Sequence, residues 1–292
     1  MWQKLIFLVL LVVLLVPACQ SPKTAIVIGS KNFTESIILA ELFAQHIESV
    51  TGQSVTRKFN LGGTIVCHQA LVAGQINIYP EYTGTALMAV LQQPAETNPQ
   101  KVYESVKKVY ETKFNATLSK PLGFNNTFAI LIRSEDAQKF NLKTISEASQ
   151  FTPLWQAGFG YEFMSRADGF TGFATKYQLH FKEAPKEMDL GLTYRALAEK
   201  QVDLIAGNST DGLIASLNLF MLADDQNYFP PYEAVPIVHQ ETLKRFPSLE
   251  GALARLAGKI SESEIQKLNG LVDIEHQDVA KVVKDFLTAK KL

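Results

Sequence analysis

The sequence predicts an α/β fold in two lobes, each a mostly parallel sheet flanked by helices. Three observations predict it. Short apolar runs of strand character alternate with helical patterns along most of the chain, the mark of repeated strand–helix–strand units. Two stretches rich in Gly, Asn and Pro, Gly123-Phe124-Asn125-Asn126 and Phe229-Pro230-Pro231-Tyr232, read as crossings between lobes, dividing the chain into 25–125, 126–229 and 230–292. A length of 292 residues with 47% hydrophobic content supplies material for more than one core.

Taken in order, Ala25–Gly29 is a compact apolar run ending in Gly, read as a buried strand. Thr34 and Glu35 open a helix, with Thr34 as its N-cap and Ile38, Leu42 and Ile47 on its apolar stripe. Val55–Phe59 reads as a strand and Thr64–Ala73 as a helix after the Gly62-Gly63 pair. Backbone N–H groups at such a helix start suit a carboxylate or phosphate. Ile76 and Ile78 mark another strand, whose ladder Pro80 is expected to stop because it lacks an N–H. Tyr79, Glu81 and Tyr82 then stand at that strand's C-terminal end, followed by Thr83-Gly84-Thr85 and a helical run from Ala86. A charged helix covers Lys101–Lys113.

The middle part offers strands at Phe128–Arg133, Gln156–Tyr161 and Val202–Ala206, and helices at Phe170–Tyr177 and Leu192–Glu199. Ala234–Val238 is the strand of the return crossing. Amphipathic helices near Leu249–Leu256 and Val279–Leu287 close the chain. In open α/β sheets ligands bind outside the C-terminal ends of strands. A chain that crosses twice between lobes has the layout of a hinge-closing binding protein with its ligand in the cleft.

Composition excludes several functions. The formal net charge of −1 leaves no electrostatic footprint for nucleic acid. His46, His68, His180, His239 and His276 are dispersed without metal-ligand spacing, so neither metal nor cofactor is expected. There is no Gly-x-Ser-x-Gly elbow, no His-Glu-x-x-His and no phosphate loop, which argues against an enzyme. Cys67 sits within a helical run next to His68, which therefore points elsewhere, and it reads as a small buried apolar residue.

At the N-terminus Lys4 precedes an apolar run from Leu5 to Val16, too short for a comfortable membrane span but right for an export signal over 1–18. Val16-Pro17-Ala18-Cys19 resembles a bacterial lipobox. The resemblance implies that Cys19 becomes the lipid-modified first residue of the mature protein, with 19–24 as the linker from the membrane.

A wider resemblance runs through Gly29-Ser30-Lys31-Asn32-Phe33-Thr34-Glu35, Asn60-Leu61-Gly62-Gly63-Thr64, Tyr79-Pro80-Glu81-Tyr82-Thr83-Gly84-Thr85 and Gly123-Phe124-Asn125-Asn126-Thr127. It continues through Arg166-Ala167-Asp168-Gly169, Gly191-Leu192-Thr193-Tyr194, Ser209-Thr210-Asp211-Gly212 and Phe229-Pro230-Pro231-Tyr232. In these blocks the chain is similar to the substrate-binding proteins of ABC importers for glycine betaine, choline and related quaternary amines.

The resemblance implies the type II periplasmic-binding-protein fold and capture of a betaine-type osmolyte in an aromatic box. The partners it implies are a membrane permease and its ATPase, and the chain acts as an extracytoplasmic, lipid-anchored monomer. It assigns Tyr82, Phe128 and Tyr232 to the box, and Lys31, Thr85 and Arg166 to the ligand carboxylate. Asn208 stands where the family often has a further tyrosine, so one wall is polar. Carnitine, choline or a histidine betaine such as ergothioneine suits that wall better than glycine betaine. Other roles remain open at the level of residues. Arg166 has Asp168 or Glu162 as structural partners, Lys31 has solvent, Tyr82 and Tyr232 have the core, and Glu81 is a hinge carboxylate or a minor ligand contact. A sensor that does not deliver cargo would use the same cleft.

Overall fold

The computed structural model describes residues 25–292. The expected export signal and Cys19 lie outside the described residues. Among the described residues there are ten strands: β1 (Ile26–Gly29), β2 (Val55–Lys58), β3 (Ile78–Tyr82), β4 (Ala116–Leu118), β5 (Phe128–Arg133), β6 (Ala157–Gly160), β7 (Lys186–Met188), β8 (Leu204–Asn208), β9 (Leu219–Leu222) and β10 (Ala234–His239). They form two five-stranded sheets, ordered β2-β1-β3-β10-β4 and β7-β6-β8-β5-β9.

Each sheet has one reversed strand. β10 runs antiparallel to β3 and β4, and β5 antiparallel to β8 and β9, while β1 pairs parallel with β2 and β3 and β6 parallel with β7 and β8. The reversed strands are the ones that follow the two crossings, and the crossings meet. Asn125 bridges to Glu233, Tyr232 N–H donates to Asn125 Oδ1 at 2.6 Å, and Asn126 N–H donates to the Tyr232 carbonyl at 3.0 Å. The two crossings thus pair with each other as a strap between the sheets.

The helix Thr34–Thr51 anchors the first sheet. Its Ile38, Leu39, Leu42, Phe43 and Ile47 are fully buried, each worth about 1.5–3 kcal/mol over exposure. The C-terminal helices Ser248–Ala254, Glu262–Asp273 and Val279–Lys290 all pack on it, so the end of the chain returns to the first sheet. Among the described residues no helix is long and apolar enough to cross a membrane.

Two expectations are corrected, and one helix was missed. The ladder does not stop at Pro80: it runs on to Tyr82, with Pro80 facing Pro236 of β10. The Pro236 carbonyl turns the other way and accepts from Ser119 N–H at 2.9 Å. The two prolines therefore form a non-hydrogen-bonded pair, where an antiparallel ladder needs no donor from either. Thr34 is not the N-cap. Phe33 holds that position, and the Thr34 hydroxyl donates instead to Asp273 Oδ1 at 2.6 Å. The helix Glu262–Asp273 was not expected, although Ser261 and Glu264 form a capping box at its start.

Candidate functional site

The last residues of β3 fix the site. Tyr82 is the final residue of that strand and pairs with Ala234. The chain then turns at Thr83-Gly84-Thr85, where Gly84 carries no Cβ. A Cβ there would lie 2.7 Å from the Pro231 carbonyl and 2.8 Å from the Tyr232 ring. Glycine at this position thus lets the return crossing lay Tyr232 against the end of β3. From the second sheet, the first residue of β5, Phe128, pairs with the last residue of β8, Asn208, so both stand at the same rim.

These ends enclose a cavity of about 120 Å³ between the sheets. Lys31, Tyr82, Thr85, Phe128, Arg166, Asn208 and Tyr232 all line it, so the structure brings together every residue assigned from sequence. Phe33, Tyr161, Glu162, Phe163 and Asp189 line it as well. Phe33 stacks on Tyr82 with centroids 6.3 Å apart. Phe128 meets Tyr232 at 5.9 Å and Phe163 at 4.9 Å, both edge-on. Tyr161 is 61% exposed and stands at the mouth.

The basic groups are both engaged. Lys31 is 3% exposed, forms an ion pair with the fully buried Glu81, and lies 5.3 Å from the Tyr82 ring centre. It is therefore not a solvated loop lysine. Glu81 also accepts from Tyr82 N–H at 2.8 Å and does not line the cavity. Arg166 donates twice to Asp168, at 2.8 and 2.5 Å, and reaches Thr85 Oγ1 from the opposite side of the cleft at 3.2 Å. Its guanidinium stands 4.8 Å from the Phe128 ring centre. Burial opposes its charge, and the Asp168 carboxylate outweighs burial and raises its pKa.

Tyr82 and Tyr232 both donate to buried carboxylates. Tyr82 OH reaches Glu35 Oε1 at 2.6 Å, and Tyr232 OH reaches Asp168 Oδ2 at 2.5 Å. Burial, and then the adjacent negative charge, push both phenols well above the ordinary tyrosine range.

A further carboxylate joins the two sides. Glu162 Oε1 accepts from Thr64 N–H at 3.1 Å, at the start of the helix Thr64–Val72. The helix N-terminus after Gly62-Gly63 does take an anion, and the anion is the protein's own. Cys67, behind it, is fully buried, and burial pushes its thiol up to about 12.

Phe33, Glu35, Glu162 and Asp189 escaped the sequence reading as site residues. Phe33 and Glu35 do lie inside the block Ser30–Glu35 that carried the resemblance. Glu162 carried no signal beyond nearness to Arg166.

A family model described as the substrate binding domain of ABC-type glycine betaine transport systems matches residues 24–289. The chain is 39% identical over 269 residues to a carnitine transport binding protein of Listeria monocytogenes, covering 91% of this chain and 87% of that one. It is 34% identical over 275 residues to an ergothioneine transport permease/ergothioneine binding protein of Helicobacter pylori, covering 94% of this chain and 49% of that protein. A solved structure titled a glycine betaine/carnitine/choline ABC transporter superposes with a TM-score of 0.76 at 33% identity, covering 91% of this chain and 98% of that one. The two mixed sheets are the type II periplasmic-binding-protein fold. The chain belongs to the family of substrate-binding domains of ABC-type glycine betaine transport systems.

Proposed function

We propose that this chain captures a trimethylammonium osmolyte of the carnitine or choline type in the cleft between its sheets and delivers it to an ABC permease. One observation carries the reading. Tyr82, Phe33, Phe128 and Tyr232 line a single cavity in which both basic side chains are already paired with carboxylates. Ring faces attract a desolvated quaternary cation by about 0.5–2 kcal/mol. With Lys31 and Arg166 held by Glu81 and Asp168, and Glu162 and Asp189 also on the lining, the site favours positive charge. A ligand carboxylate shares Lys31 and Arg166 with their partners and gains Thr85 as a hydroxyl contact. Asn208 supplies an amide to a polar group beside the cation.

The closing cycle follows from the contacts that span the cleft. Ligand held by Tyr82 and Tyr232 on one side and by Phe128 and Asn208 on the other favours the closed arrangement, in which Arg166 meets Thr85 and Glu162 meets Thr64. The closed form docks on the permease. Cys19 anchors the monomeric mature chain to the outer face of the membrane through lipid, so Cys19→Ser should release it into the soluble fraction.

A second reading, ergothioneine, is supported by Asn208 and by the relative from Helicobacter pylori. A thermal-shift screen of the chain from residue 20 onward separates them. Carnitine, choline, glycine betaine, ergothioneine and ordinary amino acids are compared at equal concentration. A ligand at a hundred times its Kd adds about 2.7 kcal/mol to the folded state. Stabilisation by carnitine or choline supports the main reading, and by ergothioneine alone the second. Stabilisation by amino acids alone defeats both.

A further inference from the structure

Glu35 is 3% exposed and opens the helix Thr34–Thr51, where the helix dipole favours negative charge. It receives four hydrogen bonds. Tyr82 OH and Asn126 Nδ2 donate to Oε1 at 2.6 and 2.8 Å, and Thr210 Oγ1 and Asn269 Nδ2 donate to Oε2 at 2.5 and 2.8 Å. A carboxylate has about four lone-pair sites, and here all are taken. Every donor is neutral, and the cation over the Tyr82 ring, Lys31 at 5.3 Å from its centre, is paired with Glu81. Asp168, behind Tyr232, differs in that Arg166 offsets it. Glu35 therefore places a carboxylate held by neutral donors alone directly behind the Tyr82 ring, joined to it by a charge-assisted hydrogen bond.

We infer that Glu35 sets the charge selectivity of the site: by accepting the Tyr82 phenol proton it enriches that ring's electron density, so that the box prefers a trimethylammonium head to a neutral head of the same shape. The argument is electrostatic. The attraction between a ring and a cation comes from the negative face of the ring, and partial withdrawal of the phenol proton toward a carboxylate makes that face more negative. The buried charge itself adds to the attraction across a low-dielectric site. A neutral tert-butyl head of equal size makes the same packing contacts and gains from neither effect. Glu35 touches no ligand. It acts through Tyr82 and is a positioning and specificity residue.

This inference rests on the aromatic-box reading, and the test keeps the two apart. Calorimetric titrations compare carnitine and choline with their carbon isosteres, in which tert-butyl replaces trimethylammonium. Wild type should prefer the cationic member of each pair. Glu35→Gln keeps the size of the side chain and removes its charge, and should weaken the cationic member by about tenfold. The isostere should change by less than about threefold. Tyr82→Phe keeps the ring and removes the link, so it should also lower the cation preference, and adding Glu35→Gln to it should cost less than in wild type. Circular dichroism confirms that each variant is folded. If Glu35→Gln does not fold, the loss of preference in Tyr82→Phe decides. Equal losses for cation and isostere, or an unchanged preference in Tyr82→Phe, overturn the inference while leaving the box intact. Wild type that binds no quaternary amine overturns the box and the inference with it.

Discussion

Gly63→Ala tests whether the contact between Glu162 and the helix Thr64–Val72 contributes to closure. A Cβ on Gly63 would sit 1.7 Å from Glu162 Oε1 and 2.8 Å from its Cδ, distances no real Cβ tolerates. The backbone itself does not object, since φ of −75° and ψ of −172° at Gly63 are open to any residue. Glu162 must therefore leave. With 45% of its side chain exposed it has solvent to turn into, so the substitution removes one contact without straining either sheet. What is lost is a charge-assisted hydrogen bond to Thr64 N–H and a carboxylate at a helix N-terminus. For a partly exposed group that amounts to about 0.5–1 kcal/mol. The contact joins residues on opposite sides of the cleft, so on the proposed closing cycle opening the cleft breaks it. Its loss shifts the closing equilibrium and raises the ligand Kd by about two- to fivefold. Calorimetry on Gly63→Ala, Glu162→Ala and the double variant measures this. Glu162→Ala should lose at least as much affinity as Gly63→Ala, because it also removes a lining carboxylate and the Arg166 pair at 3.9 Å, and the double should lose no more than Glu162→Ala, because both remove the Thr64 contact. Unchanged affinity in the singles, or fully additive losses in the double, would refute the reasoning.

Other expectations follow from the same geometry. Tyr82→Ala and Tyr232→Ala each remove a box face and should weaken binding by more than about tenfold in calorimetry while the protein stays folded. Asn208→Tyr restores an aromatic wall and should lower the Kd for glycine betaine; an equal or higher Kd means Asn208 does not fill that wall. Arg166→Met leaves the fully buried Asp168 without its cation and should cost about 3–5 kcal/mol in urea unfolding. A cost below about 1 kcal/mol would show that the pair does not matter to stability. His46 is fully buried, hydrogen-bonded through Nε2 to the Ala252 carbonyl at 2.9 Å, and burial lowers its pKa from 6.5. Its folded value lies below its unfolded one, so the unfolded state binds the proton first. Stability from this group is present above pH about 6.5 and is lost as pH falls below it. The His46 ring resonances in NMR should titrate below pH about 6.5 in the folded protein.

The fold was largely legible because strand and helix periodicities are local. The strands at Phe128–Arg133 and Ala234–His239 and the helix Phe170–Tyr177 lie where the apolar patterns placed them. The candidate site came from the family resemblance carried over residue by residue, and the structure places those residues on one cavity. Partnership was not legible. Whether Arg166 serves Asp168 or a ligand cannot be read from residues two apart, and the structure gives it both a paired carboxylate and a place on the cavity wall. Lys31 finds Glu81 across 50 residues. Glu35 gathers donors from 47, 91, 175 and 234 residues away. In sequence it shows only as an acid in a first helical turn, a position that the helix dipole alone explains. The Pro80 expectation failed because a lone proline says nothing of its cross-strand neighbour, and Pro236 sits opposite it.

The central claim is that the cleft holds a quaternary ammonium head against the rings of Tyr82, Phe128 and Tyr232. The most direct measurement is isothermal titration of carnitine into wild type, Tyr82→Ala and Tyr232→Ala under one set of conditions. The account predicts saturable binding of one carnitine per chain in wild type and its loss in both variants. Binding of equal strength in all three proteins would contradict it.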